Sequence, residues 1–223
     1  MVRRMQESGF QRARSTEAKQ LREVAILEAA RELGAERGIR QVTLTDIAAA
    51  VGMHKSALLR YFETREEIFL RLTAEGWREW SDALRAELGG LDDPAPGAIA
   101  AVFARTLATR GGFCDLLAQA PLNLERNVSI DAVRRFKLVT HAEVDAIAAV
   151  ICGLQPTLSQ ADAVDVIAAT TSMSGAFWQM ATPGSEIAAL YRSDPRLSHA
   201  VMDVEARVRR LTAALLRGLL TPT

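Results

Sequence analysis

The sequence predicts an all-α fold, and three observations support that prediction. In almost every periodic segment of the 223 residues, apolar residues recur three to four positions apart, which is the spacing of one helix face. No stretch alternates polar and apolar residues with enough Val, Ile and Thr to predict a β-strand. Glycines and prolines fall between the periodic segments, where helices would have to end.

Composition excludes several classes of protein. Hydrophobic residues make up 49% of the chain and charged residues 24%, which is too apolar for a disordered protein. No apolar run approaches the roughly 18 residues of a membrane span, and residues 1–16 lack the apolar stretch of a signal peptide. Two cysteines, Cys114 and Cys152, are too few for a disulfide-stapled secreted scaffold. We therefore expect a soluble, cytoplasmic protein with no membrane partner.

The first third of the chain predicts three short helices followed by a long one. The first helix carries apolar residues from Ile26 onward and ends at Gly38. The second opens at Thr43, whose side chain can cap the helix together with Asp46 three residues on. The remaining boundaries are Gly52 for the end of the second helix, about His54 to Tyr61 for the third, and Thr64 to Gly89 for the long one.

The rest of the chain predicts five helices beyond residues 92–96, a proline-containing break and candidate linker. They are expected near Gly97–Arg110, Phe113–Ala120, Ser129–Cys152, Ser159–Ala181 and Leu197–Leu220. The last helix carries a continuous apolar stripe, which suits a subunit interface. The stripe consists of Val201, Val204, Val208, Leu211, Leu215 and Leu219.

Residues 42–61 predict a helix-turn-helix, whose second helix would fit the major groove of DNA. Gly52 permits a left-handed turn conformation, and Ala48 is small where the two helices would cross. Residues 1–60 hold 11 Lys and Arg against 7 Asp and Glu, a local positive charge that suits a polyanionic partner. The turn alone is equally compatible with two short helices packed in an ordinary bundle.

The segment from about Gln20 to Trp80 resembles the DNA-binding domain of the tetracycline-repressor (TetR) family. The resemblance lies in Ile26-Leu27-Glu28-Ala29-Ala30, Gly38-Ile39, Thr43 with Asp46-Ile47-Ala48, Val51-Gly52-Met53, Leu58 with Tyr61-Phe62, and Thr64-Arg65-Glu66-Glu67. It implies a DNA-binding domain over residues 20–80 and a C-terminal domain for effector binding and dimerisation over residues 81–223. The side chains expected at DNA are Thr43, Thr45, His54, Lys55, Ser56, Arg60, Tyr61 and Arg65. Leu59 departs from the family, because many members carry a phosphate-contacting tyrosine there, and Tyr61 would take over part of that contact.

The resemblance also implies a cavity for a small effector beside the long helix. Large apolar side chains suit a hydrophobic ligand, and the expected lining is Trp77, Trp80, Phe103, Phe136, Met173 and Phe177. Such stripes more often belong to core packing, and the sequence does not separate residues that line a cavity from residues that fill the core.

Three classes of function compete. The chain lacks a nucleophile elbow, a phosphate-binding loop and a His-Glu-x-x-His motif, so an enzyme is not expected. His141 and Asp145 are two possible metal ligands without a third, so we expect neither a metal nor a cofactor. A helical interaction adaptor on the same fold is the alternative. The favoured hypothesis is a repressor that binds a palindromic DNA operator as a homodimer and is released by a small hydrophobic effector.

Overall fold

The structure, a computed structural model, describes residues 2–92, 94–200 and 202–221, with side chains from residue 17 onward except 198–200. These residues form α-helices joined by short turns and contain no β-strand, which confirms the all-α prediction. The helices are α1 (Val2–Arg37), α2 (Leu44–Ala50), α3 (Lys55–Leu58), α4 (Arg65–Gly89), α5 (Pro96–Ala108), α6 (Gly111–Gln119), α7 (Ile130–Leu154), α8 (Gln160–Ala181), α9 (Ser185–Ser193) and α10 (Val204–Leu220).

Three helices depart most from the sequence-based expectation. Helix α1 begins at Val2, far before Ile26, because Glu, Gln, Arg and Ala in this segment are good helix formers even without an apolar stripe. Helix α9 was not predicted, since it is a nine-residue helix without buried residues. Helix α10 begins after its cap Asp203 instead of near Leu197, and Val201 of the predicted stripe lies outside the described residues.

Polar caps explain why four of the helices begin where they do. The hydroxyl of Thr64 accepts a hydrogen bond from the backbone N–H of Glu67 at 3.1 Å. Ser129 and Ser159 cap α7 and α8 in the same way, and the carboxylate of Asp203 caps α10. Each cap satisfies a backbone donor that the first turn of a helix leaves without an intrahelical partner.

Helix α4 connects the two halves of the molecule. It has 25 residues, which corresponds to a length of about 37 Å at 1.5 Å per residue. Arg65 in its first turn donates to the carbonyl of Val42, at the start of the helix-turn-helix, and the helix packs against α1, α5, α6 and α7. Because one rigid element reaches both halves, a tilt of α4 must move the segments at both of its ends.

The C-terminal half packs around a layer of helices in which α8 approaches both α6 and α10. The hydroxyls of Thr170 and Thr212 lie 3.1 Å apart between α8 and α10, and both residues are fully buried. At Gly175 a β-carbon would lie 3.0 Å from the backbone N of Ala118 on α6. Small residues on the buried side of α8, among them Thr170 and Gly175, therefore allow the neighbouring helices to pack closely.

Candidate nucleic-acid interface and ligand cleft

The turn between α2 and α3 has the geometry of a helix-turn-helix. Gly52 adopts a φ of 65°, in the region where a β-carbon is penalised. The backbone N–H of Met53 donates to the carbonyl of Ala48 at 2.8 Å, which closes the turn. Ile47 and Leu58 are fully buried between the helices and fix their packing. The turn is thus determined locally, by residues that are close together in the sequence.

A reciprocal capping box fixes the start of α2. The backbone N–H of Thr43 donates to the Asp46 carboxylate at 2.8 Å, and the N–H of Asp46 donates to the Thr43 hydroxyl at 3.2 Å. The hydrogen bonds from the Thr43 side chain and backbone lower the pKa of Asp46 below its ordinary value of 3.8. The carboxylate is therefore ionised at neutral pH, as a cap at a helix N-terminus should be.

Most of the side chains expected at DNA lie at the surface of this unit. Six are exposed and Tyr61 is half-buried against the core of the domain. The exposed residues are Thr43, Thr45, His54, Lys55, Ser56 and Arg60. Thr43 also serves as the cap of α2, and its hydroxyl donates to Asp46 at 2.6 Å. The helix-turn-helix therefore brings together polar and basic groups that its own packing does not need.

Arg65 differs from the other residues expected at DNA. Its guanidinium donates to the backbone carbonyls of Ile39 and Val42, pairs with Glu66 at 3.0 Å, and lies 4.8 Å from the ring centre of Phe69. These contacts tie the first turn of α4 to the loop before α2. The structure corrects the expectation here: Arg65 positions the two segments, and its donors are directed into the protein.

The aromatic residues at the middle of α4 are buried and form packed core. The rings of Trp77 and Trp80 meet edge to face at 5.4 Å, and Trp80 meets Phe103 of α5 at 5.9 Å in the same manner. Phe113 of α6 completes the cluster. The indole N–H of Trp80 donates to the hydroxyl of Thr106 at 3.1 Å, so its polar atom is satisfied within the core.

The other three residues expected to line an effector cavity separate into two groups. Met173 and Phe177 are half-buried on α8, where the Arg207 guanidinium of α10 lies 5.7 Å from the Phe177 ring. Phe136 of α7 does line a cavity. Of the six expected residues, Phe136 therefore borders the cavity described next.

That cavity is a cleft of about 340 Å³ between α4 and α7. We call it the α4–α7 cleft, and its lining is Glu67, Leu70, Arg71, Ala74 and Arg78 from α4 with Ala132, Arg135, Phe136, Leu138 and Val139 from α7. Its volume lies within the roughly 300–1,000 Å³ of small-molecule sites. Apolar side chains and three arginines share the lining, so the cleft can accommodate both an apolar body and an anionic group.

One carboxylate connects this cleft to the helix-turn-helix. Glu67 is buried, and its Oε1 lies 3.1 Å from the Arg135 guanidinium of α7. Its Oε2 accepts a hydrogen bond of 2.7 Å from the backbone N–H of Glu63, immediately after buried Phe62. Glu67 therefore joins the wall of the cleft to the segment that follows α3.

A second connection runs along the opposite side of α4. The carboxylate of Asp115 on α6 accepts a hydrogen bond of 3.1 Å from the backbone N–H of Ile39, in the turn between α1 and α2. Its other oxygen accepts a bond of 2.7 Å from Gln179 on α8. The N-terminal unit is thus held to the C-terminal helices on two sides.

Sequence reasoning missed the charged residues of the cleft. Glu67, Arg71 and Arg78 lie on one side of α4, at spacings of four and seven residues, and that regularity is visible in the sequence. Arg135 of α7 completes the set of charged residues. The missing information was the partner helix, because only the fold shows that α7 covers this side of α4.

The possible two-ligand metal pair, His141 and Asp145, is a contact between two side chains on the surface of α7. The Nδ1 atom of His141 lies 2.9 Å from the Asp145 carboxylate, and both side chains are mostly exposed. Within the described ranges, no three His, Cys, Asp or Glu residues come together as a metal site would require. No helix in those ranges is both long and apolar enough to span a membrane.

The fold and the helix-turn-helix together define a class, the helical transcriptional regulators. Residues 26–72 match the family described as bacterial regulatory proteins, tetR family. Residues 74–223, more than half of the chain, match the family described as tetracyclin repressor-like, C-terminal domain. The chain belongs to the TetR family, and it is a transcriptional regulator and not an enzyme. No curated protein is similar enough to match it.

Solved structures with the same fold include several regulators. The fatty acid degradation regulator FadR of Bacillus halodurans has a TM-score of 0.57 at 17% identity, over 88% of this chain and 95% of that one. FadR of Thermus thermophilus, in complex with lauroyl-CoA, has a TM-score of 0.60 at 17% identity, over 90% and 96%. The TetR family regulator PfmR, also of Thermus thermophilus, has a TM-score of 0.54 at 20% identity, over 87% and 98%. At these identities the similarity establishes the shared fold.

Proposed function

We propose that this protein is a repressor that binds a palindromic operator as a homodimer and is released from it by a small hydrophobic effector. Residues 20–80 act as the DNA-binding domain, and residues 81–223 bind the effector and the second subunit. The observation that carries the proposal is the helix-turn-helix, whose turn and cap are satisfied internally while its polar side chains face solvent. Such a surface is available to a nucleic acid.

The proposed DNA contacts are those of the exposed helix-turn-helix residues together with Tyr61. The exposed residues of the set are Thr43, Thr45, His54, Lys55, Ser56 and Arg60. Arg65 is left out because its guanidinium donates to backbone carbonyls inside the protein. Lys and Arg neutralise phosphates and release counterions, whereas side chains that reach base edges confer sequence preference. Binding should therefore weaken steeply as salt concentration rises.

The test is a fluorescence-anisotropy titration at several salt concentrations, with an operator selected from genomic fragments. We expect the Lys55→Ala substitution to weaken binding and to reduce the salt slope by about one phosphate equivalent. Tyr61→Phe should weaken binding without that change in slope. Lys137→Ala is the matched control, because Lys137 lies on α7 in an ion pair with Glu125 at 2.8 Å. Unchanged affinity and slope for Lys55→Ala and Tyr61→Phe would contradict the proposed interface.

Dimerisation is proposed through α8 and α10, which pack together and leave apolar side chains at the surface. Met173 and Phe177 of α8 and Leu211 and Leu215 of α10 are half-buried in the single chain. The small residues Ala168, Ser172 and Ala176 on the exposed side of α8 would allow close approach of a second subunit. Two helices from each subunit would form a four-helix interface.

Sedimentation velocity tests this interface. We expect the double substitution Leu211→Asp and Leu215→Asp to convert the dimer into a monomer, because an apolar interface cannot bury unpaired charges. Operator affinity should fall as well, since each monomer would contact one half-site. Leu122→Asp is the control, because Leu122 is 61% exposed and lies away from α8 and α10. A wild-type protein that sediments as a monomer would overturn the proposal.

Release by an effector is proposed through α4, which reaches from the helix-turn-helix to the cleft. A ligand that binds one tilt of this helix better than another must shift the equilibrium between them. One protein of similar fold was solved with lauroyl-CoA, a molecule with a long apolar chain, which supports a hydrophobic effector here. The alternative, an adaptor without effector response, predicts no salt-dependent binding to duplex DNA, so the titration above separates the two.

A further inference from the structure

We propose that the α4–α7 cleft binds a small anionic amphiphile, and that the anionic head of this ligand competes with Glu67 for Arg135. The inference rests on the proposed function in that it assigns the effector site and the chemical class of the effector. It also identifies Glu67 as the residue through which a ligand bound in the cleft would affect the helix-turn-helix. Three features of the cleft support it: its charge, its apolar floor and the position of Glu67.

The charge of the cleft favours an anion. Its titratable groups are three arginines and one glutamate, and Glu67 is already paired with Arg135. Arg71 and Arg78 form no hydrogen bond or ion pair with any residue that the structure describes. Both are exposed at the rim, where a guanidinium can bind a carboxylate or a phosphate through two parallel hydrogen bonds. The two unpaired cations leave the cleft electropositive.

The floor of the cleft favours an apolar tail. Leu70, Ala74 and Phe136 are each less than a tenth exposed, yet all three border the open volume. Val139 continues this surface along α7, and Leu138 stands at the edge with 65% of its surface exposed. Covering such a surface with a hydrocarbon chain removes apolar area from water. An apolar body combined with one anionic head matches both parts of the lining.

The position of Glu67 supplies the connection to DNA binding. An anion that binds Arg135 would leave the buried Glu67 carboxylate without its partner and close to a like charge. The carboxylate would then move away and weaken its hydrogen bond to the backbone N–H of Glu63. That bond is one of the contacts that hold the segment between α3 and α4, so its loss loosens the helix-turn-helix relative to α4.

The first experiment measures binding by isothermal titration calorimetry with four ten-carbon probes below their micelle concentrations. Decanoate and decyl phosphate carry the anionic head, whereas decanol is neutral and decylamine is cationic. We expect both anions to bind and the other two to bind at least tenfold more weakly. The tighter of the two anions identifies the head group as a carboxylate or a phosphate. Equal binding of decanol and the anions would overturn the assignment of an anion site.

Two arginine variants locate the site. We expect Arg78→Gln to weaken decanoate binding at least about fivefold, because it removes a charge-assisted hydrogen bond. Arg134→Gln is the matched control, since Arg134 neighbours Arg135 on α7 but pairs with Asp131 and lies outside the cleft. Its affinity for decanoate should stay within twofold of the wild type. Equal affinity of the Arg78→Gln variant and the wild type would place the ligand elsewhere.

The Glu67→Gln variant tests the competition itself. The amide oxygen of Gln can still accept the hydrogen bond from Glu63, but the variant has no negative charge to oppose the ligand. Decanoate should therefore bind more tightly than to the wild type. A residue with a purely structural role would leave decanoate affinity unchanged, and that result would overturn the competition.

Operator titrations with and without saturating decanoate test the coupling. We expect decanoate to weaken operator binding by the wild-type protein about 5- to 150-fold, the range that is typical of linked sites. Decanoate should weaken operator binding by the Glu67→Gln variant less than twofold. An unchanged operator affinity of decanoate-saturated wild type would overturn the coupling and leave the DNA-binding function intact. A wild-type protein that binds no operator would refute the proposed function, whereas the calorimetric comparison would still decide the site.

Discussion

Two sets of positions on α4 show how one helix can be tightly packed at one place and leave an open cleft at another. On one side, Trp77 and Trp80 meet Phe103 and Phe113 edge to face, and the polar atom of Trp80 is satisfied by Thr106. On the other side, the same helix and α7 leave a cleft of about 340 Å³. Apolar periodicity identifies both sides as buried. Whether the partner helix fills the space depends on side-chain volumes contributed from elsewhere in the chain.

This difference assigns different roles to residues that look alike in sequence. Large aromatic side chains suit a hydrophobic pocket, but Trp77, Trp80 and Phe103 are buried and pack edge to face against aromatic neighbours. The cleft is instead lined near its floor by Ala74 and Leu70, which are smaller. The aromatic side of α4 should therefore determine stability, and the cleft side should determine ligand response.

The largest expected effect is on the aromatic side. Trp80→Ala should lower the free energy of unfolding by about 3–5 kcal/mol, because it removes a fully buried indole and its hydrogen bond to Thr106. Urea denaturation followed by circular dichroism measures this change. A loss below about 1 kcal/mol together with a lost ligand response would contradict the comparison and make Trp80 a wall of a ligand site.

A pair of substitutions two positions apart on α4 compares the sides directly. Gly76→Ala should destabilise the protein by about 1–3 kcal/mol, because its added β-carbon would lie 2.4 Å from Cδ2 of Phe113. Ala74→Leu adds more atoms but directs them into the cleft, so its unfolding free energy should stay within about 1 kcal/mol of the wild type. It should also abolish decanoate binding.

The same urea titrations and calorimetry decide the outcome for this pair. If Ala74→Leu were the more destabilising of the two, the cleft would be tightly packed in solution and the comparison would fail. If Ala74→Leu were stable and still bound decanoate normally, the ligand would not occupy the volume beside Ala74.

The smallest effect concerns the two thiols. Cys114 on α6 is fully buried beside the aromatic cluster, and burial, with a smaller contribution from Asp115, raises the pKa of its thiol to about 12. It should therefore remain protonated and resist alkylation at pH 8 in the native protein, whereas half-buried Cys152 should react. Mass spectrometry after a short iodoacetamide pulse distinguishes the two. Rapid labelling of Cys114 would show that the aromatic side opens to solvent.

The sequence was sufficient for features that are determined over a few residues. The cap at Thr43, the turn at Gly52 and the start of α4 at Thr64 depend on neighbours within about four positions, and the structure contains all three. The all-α fold followed from the same local patterns. Helix α9 was missed because it is a short helix of nine residues between Pro183-Gly184 and Pro195, and none of its residues is buried.

Features that depend on distant residues were not available from the sequence. Arg65 is a basic residue at a helix start, and only the fold shows that its donors are used by the carbonyls of Ile39 and Val42. In the sequence Glu67 is one of two acidic residues in the first turn of α4, but its pairing with Arg135 joins positions 68 residues apart. The division between DNA-contacting and positioning residues therefore depends on tertiary contacts.

The most direct test of the central claim is the affinity of decanoate for the free protein and for the operator complex, measured by calorimetry under the same conditions. Linkage requires that operator DNA weaken decanoate binding by the same factor by which decanoate weakens operator binding. We predict a reduction of about 5- to 150-fold in the complex, and a change below twofold for Glu67→Gln. Equal affinities of the free and operator-bound wild-type protein for decanoate would contradict the claim that ligand binding in the α4–α7 cleft controls DNA binding by the helix-turn-helix.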